Sequence, residues 1–501
     1  MAVLATPGVY IEEKSGFSSS VVPVATALPA FIGYTAKALR GTTDLTNVPT
    51  KISSLAEYEE IFGGQPKTKF NITLNPEKGA GYDLSIDEST NFKLHSSIRL
   101  FYSNGGGDCY IVSVGNYENG IKAKDFNDAA NNSGLPTLLK YNEPTLLVVP
   151  EASLLSAEDC NSLHQAMLLH CGKDMRNRFA ILDVHNGNNS RALTSPDEDV
   201  VNVHREGIGS NFLQWGASYY PFLHTTIVDS SEIDFTNFNE VDALIEVLNG
   251  EVAADLEGEL INESRANAIK GEIEKLSSAE GDQIESLQST LKTISPRMNA
   301  ILKDMGEMLN VLPPSAAIAG IYSMVDYTFN VSKAPANVSL GSVIKPSVNI
   351  TAAEQEDLNL PLTGKAINAI RSFQGKGNLV WGARTLDGNS QDWRYIGVRR
   401  AMIFIEQSIK MAAEAYVFEP NNATTWSTLR ATVSNFLFNQ WQGGILAGAN
   451  PEDAYVVEIG LGSTMTSNDI LDGILKMTVK VAITRPAEFI VITFQQQQQK
   501  S

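Results

Sequence analysis

The apolar run TLLVV at residues 145–149, a helical pattern after it, and the run RFAILDV at residues 178–184 together decide the fold. Neither run alternates apolar with polar residues, which is typical of strands buried on both faces. Ser156 followed by Glu158 and Asp159 is typical of a helix start, and we expect that helix to extend to about Cys171. A similar run at residues 217–223 offers a third strand. We also expect a buried strand at residues 24–34, interrupted by Pro29, and a long polar loop near residues 66–90. The order strand, helix, strand predicts an α/β domain with a mostly parallel sheet covered on both sides.

A strongly acidic segment interrupts this pattern. Between Glu240 and Glu285 there are thirteen acidic and three basic residues, and apolar residues recur there at helical spacing. We predict two or three amphipathic helices that form an insertion at about residues 236–310, with a solvated anionic face on an outer surface.

The pattern changes again after Asn359. Long helices are predicted at residues 395–418 and 425–441, followed by strands at residues 455–460 and 476–483. Because 501 residues exceed what one core normally holds, several domains are expected. The predicted parts are an N-terminal arm at 1–25, a segment at 26–95 that packs with the C-terminal domain, the parallel-sheet domain at 96–365, an α+β domain at 366–484, and a terminal strand and tail at 485–501.

Composition excludes several classes of function. The chain has 38 basic and 57 acidic residues, a net charge of −19, so nucleic acid and anionic membranes are poor partners. We find no run of the roughly 20 apolar residues that a membrane span needs and no signal peptide, so we expect no direct membrane insertion and synthesis in the bacterial cytoplasm. Three cysteines cannot form a disulfide framework.

Two β-prone segments near the ends have no obvious local partner. The first contains Val9, Tyr10, Ile11 and Glu12, and is followed by a tether with Ser15, Gly16 and Ser18. The second follows Pro486 and contains Phe489, Ile490, Val491, Ile492 and Phe494. A strand with unpaired backbone N–H and C=O groups is a template for pairing with another chain. These segments therefore predict assembly rather than catalysis.

Three groups of residues are candidates for a binding or catalytic site. The glycines at 105–107 lack the lysine of a phosphate-binding loop and follow a helix, so a turn is favoured. Cys160, His164 and Cys171 share a helical face with His170 nearby, but buried thiols explain them better than zinc. Asp183 and Ser315 suggest a hydrolase, yet no nucleophile motif surrounds Ser315, and capping of the next helix is the simpler role. We predict no enzyme, no metal and no cofactor.

Several segments occur in the order found in one known family. They are PGVYIEE at 7–13, PAFIGYT at 29–35, FYSNGG at 101–106 leading to CYIV at 109–112, PPS at 313–315 with AGIY at 319–322, KAPAN at 333–337, INAIR at 367–371, VWGART at 380–385, WRYI at 393–396 with VRR at 398–400, VFEPN at 417–421 and RPAEF at 485–489. Together they resemble the contractile tail sheath proteins of bacteriophages and phage-tail-like injection particles.

The resemblance implies a degenerate, inactive subtilisin-like domain and a role in assembly. Such subunits stack as six-membered rings around an inner tube, between a baseplate and a terminal cap. Their terminal arms add strands to a small sheet in neighbouring subunits. By that match residues 9–12 and 489–494 are the exchanged strands, and residues 15–20 and Pro486 are hinges. The extended sheath is metastable and contracts without a nucleotide.

One helix is a candidate for contact with the tube. Glu406, Lys410 and Glu414 form an i, i+4 stripe opposite Ile405, Ile409 and Ala412. Such a stripe is equally typical of a solvent-exposed, salt-bridged face, so both interpretations stay open. Two other functions stay open as well: a different filament or capsid protein, and a hydrolase on the parallel sheet. The expected location is a virion tail or a phage-tail-like particle.

Overall fold

The computed structural model describes residues 21–118 and 120–491. The chain divides into two compact units, a larger unit at Ala25–Arg400 and a C-terminal unit that contains residues 401–491 together with residues 21–24. The strands of the larger unit are β1 (Pro29–Gly33), β2 (Leu39–Arg40), β3 (Thr43–Asp44), β4 (Thr50–Ile52), β5 (Phe70–Leu74), β6 (Tyr82–Ile86), β7 (Cys109–Ser113), β8 (Asn127–Asp128), β9 (Ser133–Gly134), β10 (Leu146–Val148), β11 (Phe179–Asp183), β12 (Gly216–Tyr220), β13 (Leu223–Thr225), β14 (Val311–Leu312), β15 (Val338–Ser339), β16 (Val343–Pro346), β17 (Ile367–Phe373) and β18 (Gly377–Val380).

The helices of the larger unit are α1 (Leu55–Phe62), α2 (Leu94–Ser103), α3 (Ala123–Phe126), α4 (Ala157–Leu169), α5 (Val200–Gly207), α6 (Val241–Glu257), α7 (Glu263–Glu274), α8 (Asp282–Ile294), α9 (Pro296–Leu309), α10 (Ser315–Thr328) and α11 (Ala352–Asn359). Helix α12 (Ile396–Glu414) contains the boundary between the units. The C-terminal unit adds α13 (Ala423–Gln442), α14 (Pro451–Ala454), β19 (Tyr455–Ile459), α15 (Ser467–Leu471) and β20 (Met477–Val481).

A nine-stranded sheet forms the centre of the larger unit, in the order β15-β18-β17-β12-β11-β10-β1-β7-β4. The successive pairs from β17 to β7 are parallel. Every residue of β11 is buried, and α4 and α10 both pack against it. Because successive side chains of a strand point to opposite faces, both faces of the sheet are covered there. The predicted large parallel sheet is confirmed.

The segment at residues 26–95 lies inside this unit. Sequence analysis assigned it to packing with the C-terminal domain, but β1 instead pairs with β7 and β10 in the large sheet. A strand interrupted by Pro29 was expected, whereas the strand begins at Pro29, where a missing N–H is tolerated. β17, directly after the boundary predicted at residue 366, pairs in parallel with β12.

A second hydrophobic core lies under the acidic helices. It is built by α6–α9 and by the hairpin of β5 and β6, whose Phe70, Ile72 and Tyr82 are buried against residues of all four helices. The helices are more numerous than the two or three expected. The hairpin falls in residues 66–90, where a polar loop was predicted. The acidic helices and the hairpin together form what we call the helical subdomain.

Candidate inter-subunit surface

The C-terminal unit contains a small antiparallel sheet of β19 and β20, in which Tyr455 lies opposite Val481 and Ile459 opposite Met477. Burial alternates along β20, with Met477, Val479 and Val481 half-buried and the residues between them exposed. Helix α13 packs against β19. The predicted half-buried strand is therefore present, with one face toward a helix and one toward solvent.

Both strands of this sheet have an open edge. In the part of the chain that the structure describes, β19 and β20 are each other's sole strand neighbours. After β20, the N–H of Ala447 donates to the carbonyl of Ala482 and that of Thr484 to the carbonyl of Ile445, which fixes the chain as far as Thr484. A two-stranded sheet has only marginal stability in isolation, and the addition of further strands would stabilise it.

The segment after Thr484 exposes apolar side chains in succession. Residues 485–491 contain no helix or strand, and Phe489, Ile490 and Val491 are 66%, 79% and 89% exposed. Three adjacent exposed apolar side chains are unusual, because scattered single ones are the norm. Pro486, the expected hinge, lies at the start of this segment.

The other expected strand and hinge residues lie outside the described part of the chain. They are Val9, Tyr10, Ile11, Glu12, Ser15, Gly16, Ser18, Ile492 and Phe494. The first described residues belong to the C-terminal unit: Val21 is buried, and the N–H of Val24 donates to Ser408 Oγ at 3.2 Å.

Helix α12 presents the expected charged stripe to solvent. Glu406, Lys410 and Glu414 are exposed, while Ile405 and Ile409 on the opposite side are buried. Phe404 packs on Phe436 of α13, with ring centroids 6.0 Å apart. The stripe thus lies on the solvent-exposed side of α12.

The turn between α12 and α13 carries exposed residues that sequence reasoning did not select. The helix was expected to reach Phe418 but ends at Glu414. Val417 is 59% exposed, and Phe418 is fully exposed with φ at 72°, a left-handed conformation that bulky residues seldom adopt. Pro420 disfavours helical conformation at the residue before it, and this could have indicated that the helix ends early.

Asp183 and Ser315 meet in the interior of the larger unit. The N–H of Ser315 donates to Asp183 Oδ1 at 2.8 Å, and its hydroxyl donates to Oδ2 at 2.5 Å. Burial raises the pKa of Asp183 to about 7. The capping role predicted for Ser315 is wrong: Pro314 holds the N-cap position, and Ser315 is the first helical residue. No described histidine bonds to Ser315, so the pair fastens α10 to β11 and lacks the base of a triad.

The cysteines and histidines on and after α4 are buried. Burial raises the pKa of Cys160 and Cys171 to about 12 each, so both are neutral thiols. His170 accepts from Arg178 Nη1 at 3.2 Å. Among the described residues no group of three or more His, Cys, Asp or Glu side chains could hold a metal ion.

The glycine loop after α2 is a helix-ending turn. Gly105 has φ at 86°, and the N–H groups of Gly105 and Gly106 donate to the carbonyls of Tyr102 and Phe101. These donors are therefore occupied and cannot cradle a phosphate. Searching the described helices for one long and apolar enough to cross a membrane finds none.

Comparison with known proteins connects these features to one family. Residues 389–497 match the phage tail sheath C-terminal domain. The tail sheath protein of Enterobacteria phage T4 is 28% identical over 138 residues, which cover 27% of this chain and 20% of that protein. The chain thus spans about a fifth of the length of this curated relative.

Solved structures match over almost the whole chain. The sheath of an extracellular contractile injection system, PVC, in its contracted state is 28% identical, with a TM-score of 0.61 and 99% of both chains covered. The contracted helical sheath of the anti-feeding prophage is also 28% identical, with a TM-score of 0.61, over 99% of this chain and all of that one. A chain of the six-fold symmetrised anti-feeding prophage baseplate gives a TM-score of 0.59.

The larger unit with its parallel sheet and the C-terminal unit with its open-edged two-stranded sheet define a protein of mixed α/β architecture. The chain is similar in sequence and in structure to contractile tail sheath proteins, in agreement with the resemblance found in its sequence. The matched relatives are structural sheath components.

Proposed function

We propose that the protein is the sheath subunit of a contractile injection particle, either a virion tail or a phage-tail-like particle. Its copies stack as six-subunit rings around an inner tube, between a baseplate and a terminal cap. The extended sheath is metastable, and its contraction drives the tube through a target envelope. Matches to sheath structures in the contracted state support this proposal.

The observation that carries the proposal is an open-edged sheet in the same unit as a run of exposed apolar side chains. Strands β19 and β20 are the acceptors, and residues 489–494 and 9–12 are the strands donated by neighbouring copies. Each added strand would satisfy backbone groups at an edge and cover side chains such as Ile490 and Val491. Pro486 and residues 15–18 act as hinges that let subunits move while the exchanged strands stay paired.

Head-to-tail exchange of this kind does not close on itself and therefore generates a helical filament. During contraction each subunit moves as a rigid body, while the exchanged terminal strands keep neighbouring subunits connected. The larger sheet, with its subtilisin-like ancestry, acts as packing volume and performs no hydrolysis. The stripe of Glu406, Lys410 and Glu414 faces the tube, where its mixed charges would meet complementary groups.

Electron microscopy of the purified chain tests this function. We expect hollow tubes with a lumen wide enough for an inner tube. Deletion of residues 1–22 should abolish tubes and leave a soluble folded subunit, because the donor strand is lost while both units remain. Discrete monomers from the full chain, or normal tubes from the deletion variant, would contradict the proposal.

A further inference from the structure

A narrow pocket lies between the start of α2 and the helical subdomain. It occupies about 370 Å³, counted to its open mouth, and its base admits only a water-sized group. Gln65, Lys93 and Ser96 line it on one side, and Phe92, Val228 and Leu309 supply apolar surface. The pocket therefore combines polar donors with hydrocarbon walls.

Lys93 is an unusual residue to find in this place. It is 6% exposed, and no hydrogen bond or ion pair joins its ammonium group to a described residue, although the charge of Glu151 is near enough to act on it. Glu151 is the nearby negative charge, but its carboxylate accepts the backbone N–H groups of Tyr34, Lys93 and Leu94 at 2.8–3.2 Å. Burial lowers the pKa of Lys93 to about 8. A buried ammonium group without a partner is unfavourable unless something else solvates it.

Two further donors share the pocket. Ser96 lies three residues after Lys93, so both side chains are on one face of the first turn of α2. Neither the Ser96 hydroxyl nor the Gln65 amide hydrogen-bonds to any described residue. Glu232 also lines the pocket, but both its oxygens accept from Arg99, at 2.9 and 3.0 Å. Its charge is thus neutralised, and the lining offers no free carboxylate to match the Lys93 ammonium group.

We propose that this pocket binds a small carboxylate, one oxygen of which accepts hydrogen bonds from Lys93 Nζ and Ser96 Oγ while its hydrocarbon part contacts Phe92, Val228 and Leu309. One ammonium group matches a single negative charge, since the Glu151 carboxylate is already occupied by the backbone N–H groups at the start of α2. The water-sized base admits one oxygen of the bound group. Because Leu309 is the last residue of α9 and Val228 precedes the acidic helices, the bound group would tie the helical subdomain to α2.

Thermal unfolding of the full chain tests the proposal. Sodium acetate should raise the unfolding midpoint, whereas sodium chloride at equal ionic strength should not. A short peptide with a free terminal carboxylate is compared with its amide, which separates a polypeptide source from a free metabolite. Tighter binding of the free-acid peptide than of acetate assigns a polypeptide, and equal or weaker binding assigns a small molecule.

Variants of the lining residues test whether acetate binds at this pocket. Lys93→Met should keep or raise the basal midpoint and weaken acetate binding about tenfold or more, the usual effect of losing a charged hydrogen bond. Ser96→Ala should weaken it less, and serves if the first variant does not fold. Lys67→Met is the control, because Lys67 is exposed and close by in sequence. Equal stabilisation by chloride, by the amide, or of both pocket variants would overturn the proposal.

Discussion

The exposed apolar segment after Pro486 allows a quantitative test of strand donation. Replacing Phe489, Ile490 and Val491 by threonine removes apolar area but keeps β-propensity, so the backbone can still add as a strand. Full burial of such a side chain contributes roughly 1.5–3 kcal/mol. Scaled by exposures of 66%, 79% and 89%, covering all three contributes roughly 3.5–7 kcal/mol per subunit.

Ordering of the segment opposes part of this gain, at roughly 1–2 kcal/mol for each fixed residue. A net loss of only about 1.5–3 kcal/mol in the variant would still raise the critical concentration for tube assembly roughly tenfold to more than a hundredfold. The magnitude is therefore large compared with the error of a sedimentation assay.

Pelleting across a concentration series measures this critical concentration, and negative-stain microscopy confirms what the pellets contain. Leu260→Thr is the matched control, because Leu260 is 76% exposed but lies in the helical subdomain. Circular dichroism establishes that each variant folds. An unchanged critical concentration in the triple variant would refute burial of this segment between subunits.

Three other perturbations have expected outcomes. Lys410→Glu should reduce co-purification of the tube with the sheath while tubes of sheath alone still form; unchanged co-purification favours the solvent-exposed interpretation. Asp183→Asn should gain stability relative to the unchanged protein as pH rises from about 4 to about 7, as measured by urea unfolding. In this range the carboxyl group loses its proton in the unfolded state but keeps it in the folded state, so rising pH favours unfolding of the unchanged protein. Parallel pH profiles of the two proteins would disprove this. Replacing residues 240–309 by a short linker should destabilise the chain by roughly 4–9 kcal/mol, since Phe70, Ile72 and Tyr82 lose their cover; a soluble product with an unchanged melting temperature would argue against the shared core.

The elements that sequence predicted well carry their signal locally. The runs at 145–149 and 178–184 contain β10 and β11, and the alternation from Met477 to Val481 gave β20 with its burial pattern. The side on which the charged stripe of α12 lies also followed from helical spacing, since Ile405 and Ile409 are buried opposite it.

What sequence missed depends on distant partners. The hairpin of β5 and β6 has a period-two pattern, with apolar Phe70, Ile72 and Leu74 and polar residues between them. A loop was nevertheless predicted there, because the helices that bury its apolar side chains, α6–α9, lie far along the chain. Ser315 was taken for a cap because its true partner, Asp183, is 132 residues away. The unpartnered Lys93 likewise becomes visible only when the pocket around it is known.

The core that the hairpin shares with the acidic helices limits how this protein can vary. Residues 70–86 and 229–310 are separated in sequence by much of the large sheet, yet they fill one interior. The acidic helices could not be transferred alone to another protein, in evolution or by design. The recipient would lack the side chains of Phe70 and Tyr82, against which the helices pack. We therefore expect the two segments to be inherited together, and changes of volume in one to be matched by changes in the other.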